Sequence, residues 1–325
     1  MNRLCLALPF ALLALTFSRS AFAETGAADG GATESAAPAA VAAPTAPAPA
    51  PPQSLVPTPA ETPPEPSGKT HFEADPVGDG AILGISIGFA ALSEALLSTG
   101  EIRPQQIRSN FDTNSLLSID RGAISQNVDS SAGMLSTVGV AATVGFAVLD
   151  PVLSGFREDS RRAALVDGIV YGETLAITWG LTNLAKVAVR RPRPNAYIVA
   201  AQHRGDPTFD NADTDSSLSF FSGHAAISAS MTATATYLAF ARSPGTIRPW
   251  ITLIAGSLIT TFVSIERVRA GAHFPTDVVA GAMAGAGVGV LVPHLHREDT
   301  VKQRAVWVGF MPAGQGGTAT LSGYF

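Results

Sequence analysis

The chain has 325 residues, 46% of them hydrophobic and 14% charged, with a formal net charge of −5. Such an acidic balance argues against general nucleic-acid binding, so any anion site must be a local exception. The single cysteine, Cys5, leaves the rest of the chain without disulfides, thiolate metal sites or a cysteine nucleophile.

Residues 1–23, MNRLCLALPFALLALTFSRSAFA, read as a secretory signal. Arg3 stands near the start, an apolar run reaches Phe17, and Ala21 and Ala23 flank Phe22 as an A-x-A cleavage site. A retained first span is the weaker reading, because the run is short and Arg19 interrupts its end. Cys5 lies too early to be a lipid-attachment site. Cleavage removes Arg3 and Arg19 but no acid, leaving 19 basic against 26 acidic residues. Export to the periplasm or envelope of a bacterium is therefore expected, and a cysteine-free mature chain is compatible with it. Residues 24–70 are rich in Ala and Pro with few large apolar groups, so they predict an extended, disordered spacer. A Pro-rich docking ligand is the less favoured alternative.

From about residue 79 the chain becomes a series of long apolar segments: 80–99, 131–149, 163–189, 223–242, 249–265 and 276–293. Their length and alanine content predict helices rather than strands, and six largely buried helices make an all-α bundle over residues 71–297. Several sit at the lower length limit for a membrane span. Glu94, Asp167 and Glu173 inside them lean towards a soluble core or an interior polar site. Six spans after a cleaved signal would turn residues 190–222 and 266–275 inward, which the basic 186–193 stretch permits by the positive-inside rule. That is an odd use of an export signal, so the balance favours an exported helical domain, with or without membrane contact. Residues 298–325, with GQGG between two alternating runs, predict a short strand-like hairpin tail.

Three clusters interrupt the apolar segments. In KVAVRRPRP (186–194), Pro192 and Pro194 end a helix with Lys186 in its last turn and Arg190, Arg191 and Arg193 at its exit. Taken alone, these cations are adequately explained as partners of a helix C-terminus. In SFFSGHAAISAS (219–230), Ser222, Gly223 and His224 open a helix whose free N–H groups suit an anion, though Ser222 as a plain N-cap is equally ordinary. In ERVRAGAHFPTD (266–277), Gly271 permits a turn and Pro275 suits a first helical position. His273 then sits at a helix entry with Asp277 four residues on, near enough for its carboxylate to reach the imidazole, fix its tautomer and leave the other nitrogen basic.

The order Lys-x6-Arg-Pro, Ser-Gly-His, Arg-x5-His-x3-Asp resembles the type 2 phosphatidic acid phosphatase superfamily, which includes bacterial class A acid phosphatases and vanadium haloperoxidases. The resemblance covers roughly residues 80–297 and implies an all-α fold and a phosphatase that uses no metal or other cofactor. It implies that His273 attacks phosphorus to form a phosphohistidine, that Asp277 orients it, and that His224 protonates the leaving oxygen. Lys186, Arg193, Ser222, Gly223 and Arg267 would bind the phosphoryl oxygens. The implied substrate is a phosphorylated small molecule or a phospholipid or isoprenoid phosphate. Two other readings stay open: a vanadate-dependent haloperoxidase, and a non-catalytic phospholipid-binding envelope protein. Phe221 replaces the proline usual before Ser-Gly-His, and Glu266 replaces the serine usual before the third-motif arginine. Glu266 places a negative charge beside the expected anion site.

The remaining histidines read blandly: His71 in the spacer, His203 in a polar loop, and His294 with His296 after the last helix, where i, i+2 spacing is weak evidence for a metal. Asp213 and Asp215 read as loop solvation, and Arg190, Arg191 and Arg269 as added positive field or solvated charge.

Overall fold

The computed structural model describes residues 70–102, 105–107, 110–206, 208–209, 214–301, 306–313 and 316–323. The expected signal and all but the last residue of the expected spacer lie outside them. The described residues form an all-α body with a two-stranded tail. In chain order the helices are α1 (Pro76–Ser98), α2 (Arg121–Ser125), α3 (Ala132–Arg157), α4 (Arg161–Val189), α5 (Pro194–Gln202), α6 (Gly223–Arg242), α7 (Arg248–Arg269), α8 (Pro275–Leu295) and α9 (Glu298–Val301). The strands are β1 (Val306–Ala313) and β2 (Gly316–Gly323), antiparallel from Val306 opposite Gly323 to Ala313 opposite Gly316.

Every predicted apolar segment is a helix, and local chemistry extends most of them. Asp75 caps α1 by accepting from the Val77 amide, with Pro76 in the first turn. Ser160 caps α4 by accepting from the Ala163 amide. Helix α3 runs eight residues past its apolar segment, and Asp150 in that extension is satisfied by Arg157 at 2.8 Å, Arg248 at 3.1 Å and the Tyr171 hydroxyl at 3.0 Å. Helix α5 was not expected. Pro194 opens it, and its buried Ala196 and Ala200 cluster with Ile107.

Helix α6 is the central element, in contact with α3, α4, α7 and α8. Its sequence allows this, since Ala, Ser and Thr dominate its buried positions. The closest packing is against α8. A Cβ at Gly281, Gly285 or Gly289 would stand 2.5, 2.0 or 2.3 Å from the carbonyl oxygens of Ser222, Ala226 and Ser230. Two ridges of four-residue spacing, glycine on one helix and small residues on the other, let the backbones meet as small-xxx-small pairs do in membranes.

The outer helices invert the expectation of largely buried apolar segments. Helices α1, α3, α7 and α8 are each long and apolar enough to cross a bilayer, yet only 11–33% of their most apolar windows is buried. Ile85, Leu92, Val138, Val148, Ile254 and Leu258 are more than half exposed. A helix facing water would carry polar groups there, and a continuous apolar face of this kind needs a non-aqueous cover. The body is therefore membrane-associated. Its internal charges do not oppose this, because they point at protein: Asn183 donates to Glu94 at 3.2 Å, and Arg242 pairs with Asp167.

Candidate active site

The three sequence clusters converge at one end of the bundle, where α4 and α7 finish and α6 and α8 begin. Lys186 occupies the last turn of α4 and is half-buried. Arg190 ends that helix in the left-handed region, at φ 49°. Arg193 is the N-cap residue of α5, and its Nη2 donates to Asp215 Oδ1 at 2.6 Å. Asp215 is thus an ion-pair partner as well as a solvated loop residue, while Asp213 lies outside the described residues.

Ser222 caps α6 through its Oγ, which accepts from the Ala225 amide at 3.4 Å. The amides of Gly223 and His224 stand in the first turn, where the helix supplies no acceptor. Gly223 sits against Thr182, whose Cγ2 would lie 3.0 Å from an added Cβ. His224 Nε2 is 3.3 Å from Thr137 Oγ1 on α3, a partner with no sequence motif to mark it.

Arg267 lies in the last turn of α7. The chain then reverses through Gly271, at φ 64°, whose amide donates to Val268 O at 2.9 Å. This turn delivers His273, which is only 2% exposed. Its Nδ1 is 2.6 Å from the Ser219 carbonyl oxygen and donates to it, so the lone pair is on Nε2. Burial, then the charges of Arg267 and Arg193, lower its pKa well below the ordinary histidine value. Arg267, Arg193 and Lys186 bear electrostatically on both His273 and His224. The Nε atoms of Arg193 and Arg267 are buried with no acceptor among the described residues. Three cations, two orphaned guanidinium donors, a helix N-terminus and two imidazoles suit a tetrahedral oxyanion and would repel a metal cation.

One expected contact is corrected. Asp277 does not reach the His273 imidazole directly, because both of its oxygens are engaged elsewhere. Oδ2 accepts from Ser219 Oγ at 2.5 Å and from the Phe274 amide at 2.9 Å, while Oδ1 accepts from Arg191 Nη1 at 2.5 Å. Asp277 therefore holds the residue whose carbonyl holds His273. The capping demand of α8 explains the difference: an acid at its third position turns back to the N-cap amide.

Arg191 is the anchor that the sequence did not reveal. It also donates to Asp120 Oδ2 and to Thr276 Oγ1, each at 2.7 Å, and lies 4.1 Å above the Phe274 ring. Asp120, fully buried, further accepts from the Thr276 amide at 3.1 Å. This network fixes the start of α8 and spends the charge of Arg191 on protein carboxylates. The basic 186–193 stretch thus belongs largely to the site, which removes most of its weight as a topology signal.

Both departures from the family pattern leave the site groups in place. Phe221 is buried. Glu266 Oε1 accepts from Arg269 Nη1 at 2.8 Å, and Arg269 Nη2 in turn donates to Asp129 at 2.5 Å, so Arg269 supplies a cation to the Glu266 carboxylate. Of the other histidines, His203 stacks on Phe209, His294 meets the Tyr237 hydroxyl at 2.9 Å, and His71 is exposed.

Residues 167–300 match the PAP2 superfamily. A decaprenylphosphoryl-5-phosphoribose phosphatase, found in two strains of Mycobacterium tuberculosis, is 31% identical over 124 residues, which is 38% of this chain and 58% of the relative. The chain thus spans a little over half the length of these curated relatives. Among solved structures, a transmembrane PAP2 type phosphatidylglycerolphosphate phosphatase from Bacillus subtilis aligns at TM-score 0.41 and 20% identity, over 67% of this chain and 94% of that one.

Proposed function

We propose, from the premise that residues 167–300 are a PAP2 superfamily domain, that this chain is a membrane-embedded phosphatase of the bacterial envelope. Residues 71–297 are its catalytic domain, and the reaction passes through a phosphohistidine without a metal. The observation that carries this reading is His273: a buried imidazole with Nδ1 committed to the Ser219 carbonyl, Nε2 bearing a lone pair, and three cations nearby.

In the first step Nε2 of His273 attacks phosphorus, the N–P bond forms, and the P–O bond to the leaving group breaks. Lys186, Arg193 and Arg267 and the amides around Ser222 and Gly223 hold the three equatorial oxygens as charge builds on them. His224 gives its proton to the leaving oxygen. In the second step His224 takes a proton from water, the water oxygen attacks phosphorus, and the N–P bond breaks to release phosphate and neutral His273.

A phosphomonoester or diphosphate on a lipid is the favoured substrate. The relatives' names point to lipid-linked phosphates, and the apolar outer faces hold the site end of the bundle within reach of lipid. An apolar cavity of about 320 Å3 between α3, α6 and α7, lined by Ala142, Phe146, Met231 and Ile259, supports the same choice. Met231 is seven residues beyond His224 on α6, about 10 Å along the axis, a distance an alkyl chain covers easily.

The test is phosphate release by the purified chain in detergent from small phosphomonoesters, phosphatidate, phosphatidylglycerol phosphate and undecaprenyl diphosphate. Turnover of at least one lipid, abolished by His273→Ala, is expected. Turnover that survives both His273→Ala and His224→Ala would remove the assigned roles, and no turnover at all would remove the enzyme. Halide oxidation with added vanadate and peroxide, in place of hydrolysis, would establish the haloperoxidase reading.

A further inference from the structure

A second cluster of ligating groups lies away from the phosphate site. Asp79 at the start of α1, Glu173 inside α4 and His296 just beyond α8 place one ligating atom each within 4.8 Å of one another. Along α8 this cluster is about 30 Å from the phosphate-site end, and along α4 Glu173 is about 20 Å from Lys186. Glu173 is 2% exposed and His296 6%.

The bonding is unusual for an ordinary ion pair. His296 Nε2 lies 3.4 Å from both Asp79 Oδ1 and Glu173 Oε2, long for an N–H···O bond. Nε2 and Glu173 Oε1 have no hydrogen-bond partner among the described residues. Nδ1 of His296 lies 2.9 Å from the Val292 carbonyl and donates to it, so in the neutral imidazole the lone pair is on Nε2, as in metal-ligating histidines. Asp79 Oδ2 accepts from the Asp75 amide at 2.8 Å, so Oδ1 is held towards the histidine. Among the described ion pairs neither carboxylate meets a lysine or arginine, and the charges bearing on Glu173 are His296 and Asp79. Two buried carboxylates without a fixed cation are costly.

We propose that Asp79, Glu173 and His296 bind a structural divalent transition-metal ion, Zn2+ in the first instance. Ligands at 2.0–2.1 Å around a tetrahedral ion are separated by about 3.3 Å, which is the spacing seen from Nε2 to each carboxylate. One nitrogen with two carboxylates favours zinc or a neighbouring first-row metal over Mg2+ or Ca2+, which prefer oxygen throughout. The ion joins α1, α4 and the end of α8. Residues 72–73 already meet the chain there, through the Phe72–Arg297 bridge and the Glu73 amide donating to His296 O at 2.8 Å. The ion's task is to hold the weakly buried α1 to the bundle.

The experiment uses the full chain, purified in detergent without a histidine tag, stripped with a chelator and offered ZnCl2. After desalting, about one zinc per chain is expected, with a thermal midpoint roughly 5 °C above the stripped protein. His273→Ala should retain both effects, and His296→Gln and Glu173→Gln should lose both. Co2+ in the wild type should give the visible bands of a tetrahedral site, a readout independent of whether a variant folds. Failure of the wild type to retain zinc, equal uptake by His296→Gln, or loss of uptake in His273→Ala would overturn the site. The first result would leave the triad as a protonated histidine between two carboxylates, and the second would place the zinc elsewhere.

Discussion

At the residue scale, the proposed chemistry depends on how His273 is held. The chain Arg191–Asp277–Ser219–His273 sets the tautomer at one remove, so Asp277 matters through Ser219 and Arg191. Asp277→Asn should destabilise the fold by about 3 kcal/mol, because Arg191 loses one of its two buried carboxylates, and lower turnover on the order of 100-fold as His273 loosens. Denaturant unfolding together with kcat would check both parts. A second prediction concerns pH. Because burial, Arg267 and Arg193 depress the pKa of His273, its neutral form, the one the proposed attack needs, persists below the usual histidine range of about 6.5. The acid limb that His273 sets in kcat/KM should therefore lie below that pH, and Arg193→Gln should move it upward on the same substrate. A limb that stays in place would show that Arg193 does not act on His273. In the same range stability should fall as pH drops below about 6.5, since the unfolded chain takes up a proton that the native imidazole refuses. The proposed site residues Lys186, Arg193, Ser222, Gly223, His224, Arg267, His273 and Asp277 can be named from the sequence because each lies in a short ordered motif beside a helix end. Asp120 and Ser219 were not legible as site residues. A lone acid 71 positions before its arginine leaves no local spacing to read, and a serine acting through its carbonyl leaves no side-chain signature.

At the element scale, position is set by the seam between α6 and α8, which carries Ser222 at one end of its α6 edge and begins beside His273. Gly285→Ala would bring a methyl within 2.0 Å of a backbone carbonyl that cannot move without shifting α6. A loss of about 3 kcal/mol is expected. Gly287→Ala, on the same helix with nothing within 4 Å, should be neutral or slightly stabilising. Thermal unfolding of the two variants in one detergent separates packing at the seam from helix propensity. The helices themselves were readable from apolar length. Their burial was not, since a helix covered by lipid and one covered by protein have the same composition. Helix α5 was missed because its nine residues are too few to display a period. The triad Asp79–Glu173–His296 was missed because its members come from three distant segments.

At the scale of the whole molecule, the phosphate-site end and the Asp79–Glu173–His296 end lie at opposite ends of apolar helices. If those helices span, the two ends lie on opposite sides of a bilayer. With Cys5 as the sole natural thiol, single cysteines can report this directly. In a Cys5→Ser background, Thr208→Cys near the site end and Glu158→Cys beyond α3 should be labelled by an impermeant maleimide from opposite sides of sealed vesicles. Labelling of both from one side would contradict a spanning arrangement. The sequence favours an exported domain over a spanning one because Glu94, Asp167 and Glu173 speak against spans, yet these charges face protein in the fold, which no linear pattern reveals. On the proposed mechanism His273 is the nucleophile of a phosphate site. The most direct test is an acid-sensitive, alkali-stable phosphoenzyme, trapped by rapid quench with a 32P-labelled lipid phosphate. Label on the wild type that maps to His273 and is absent from His273→Ala is the predicted result. Steady turnover with no trapped label in the wild type or in His224→Ala, or label that persists in His273→Ala, would contradict it.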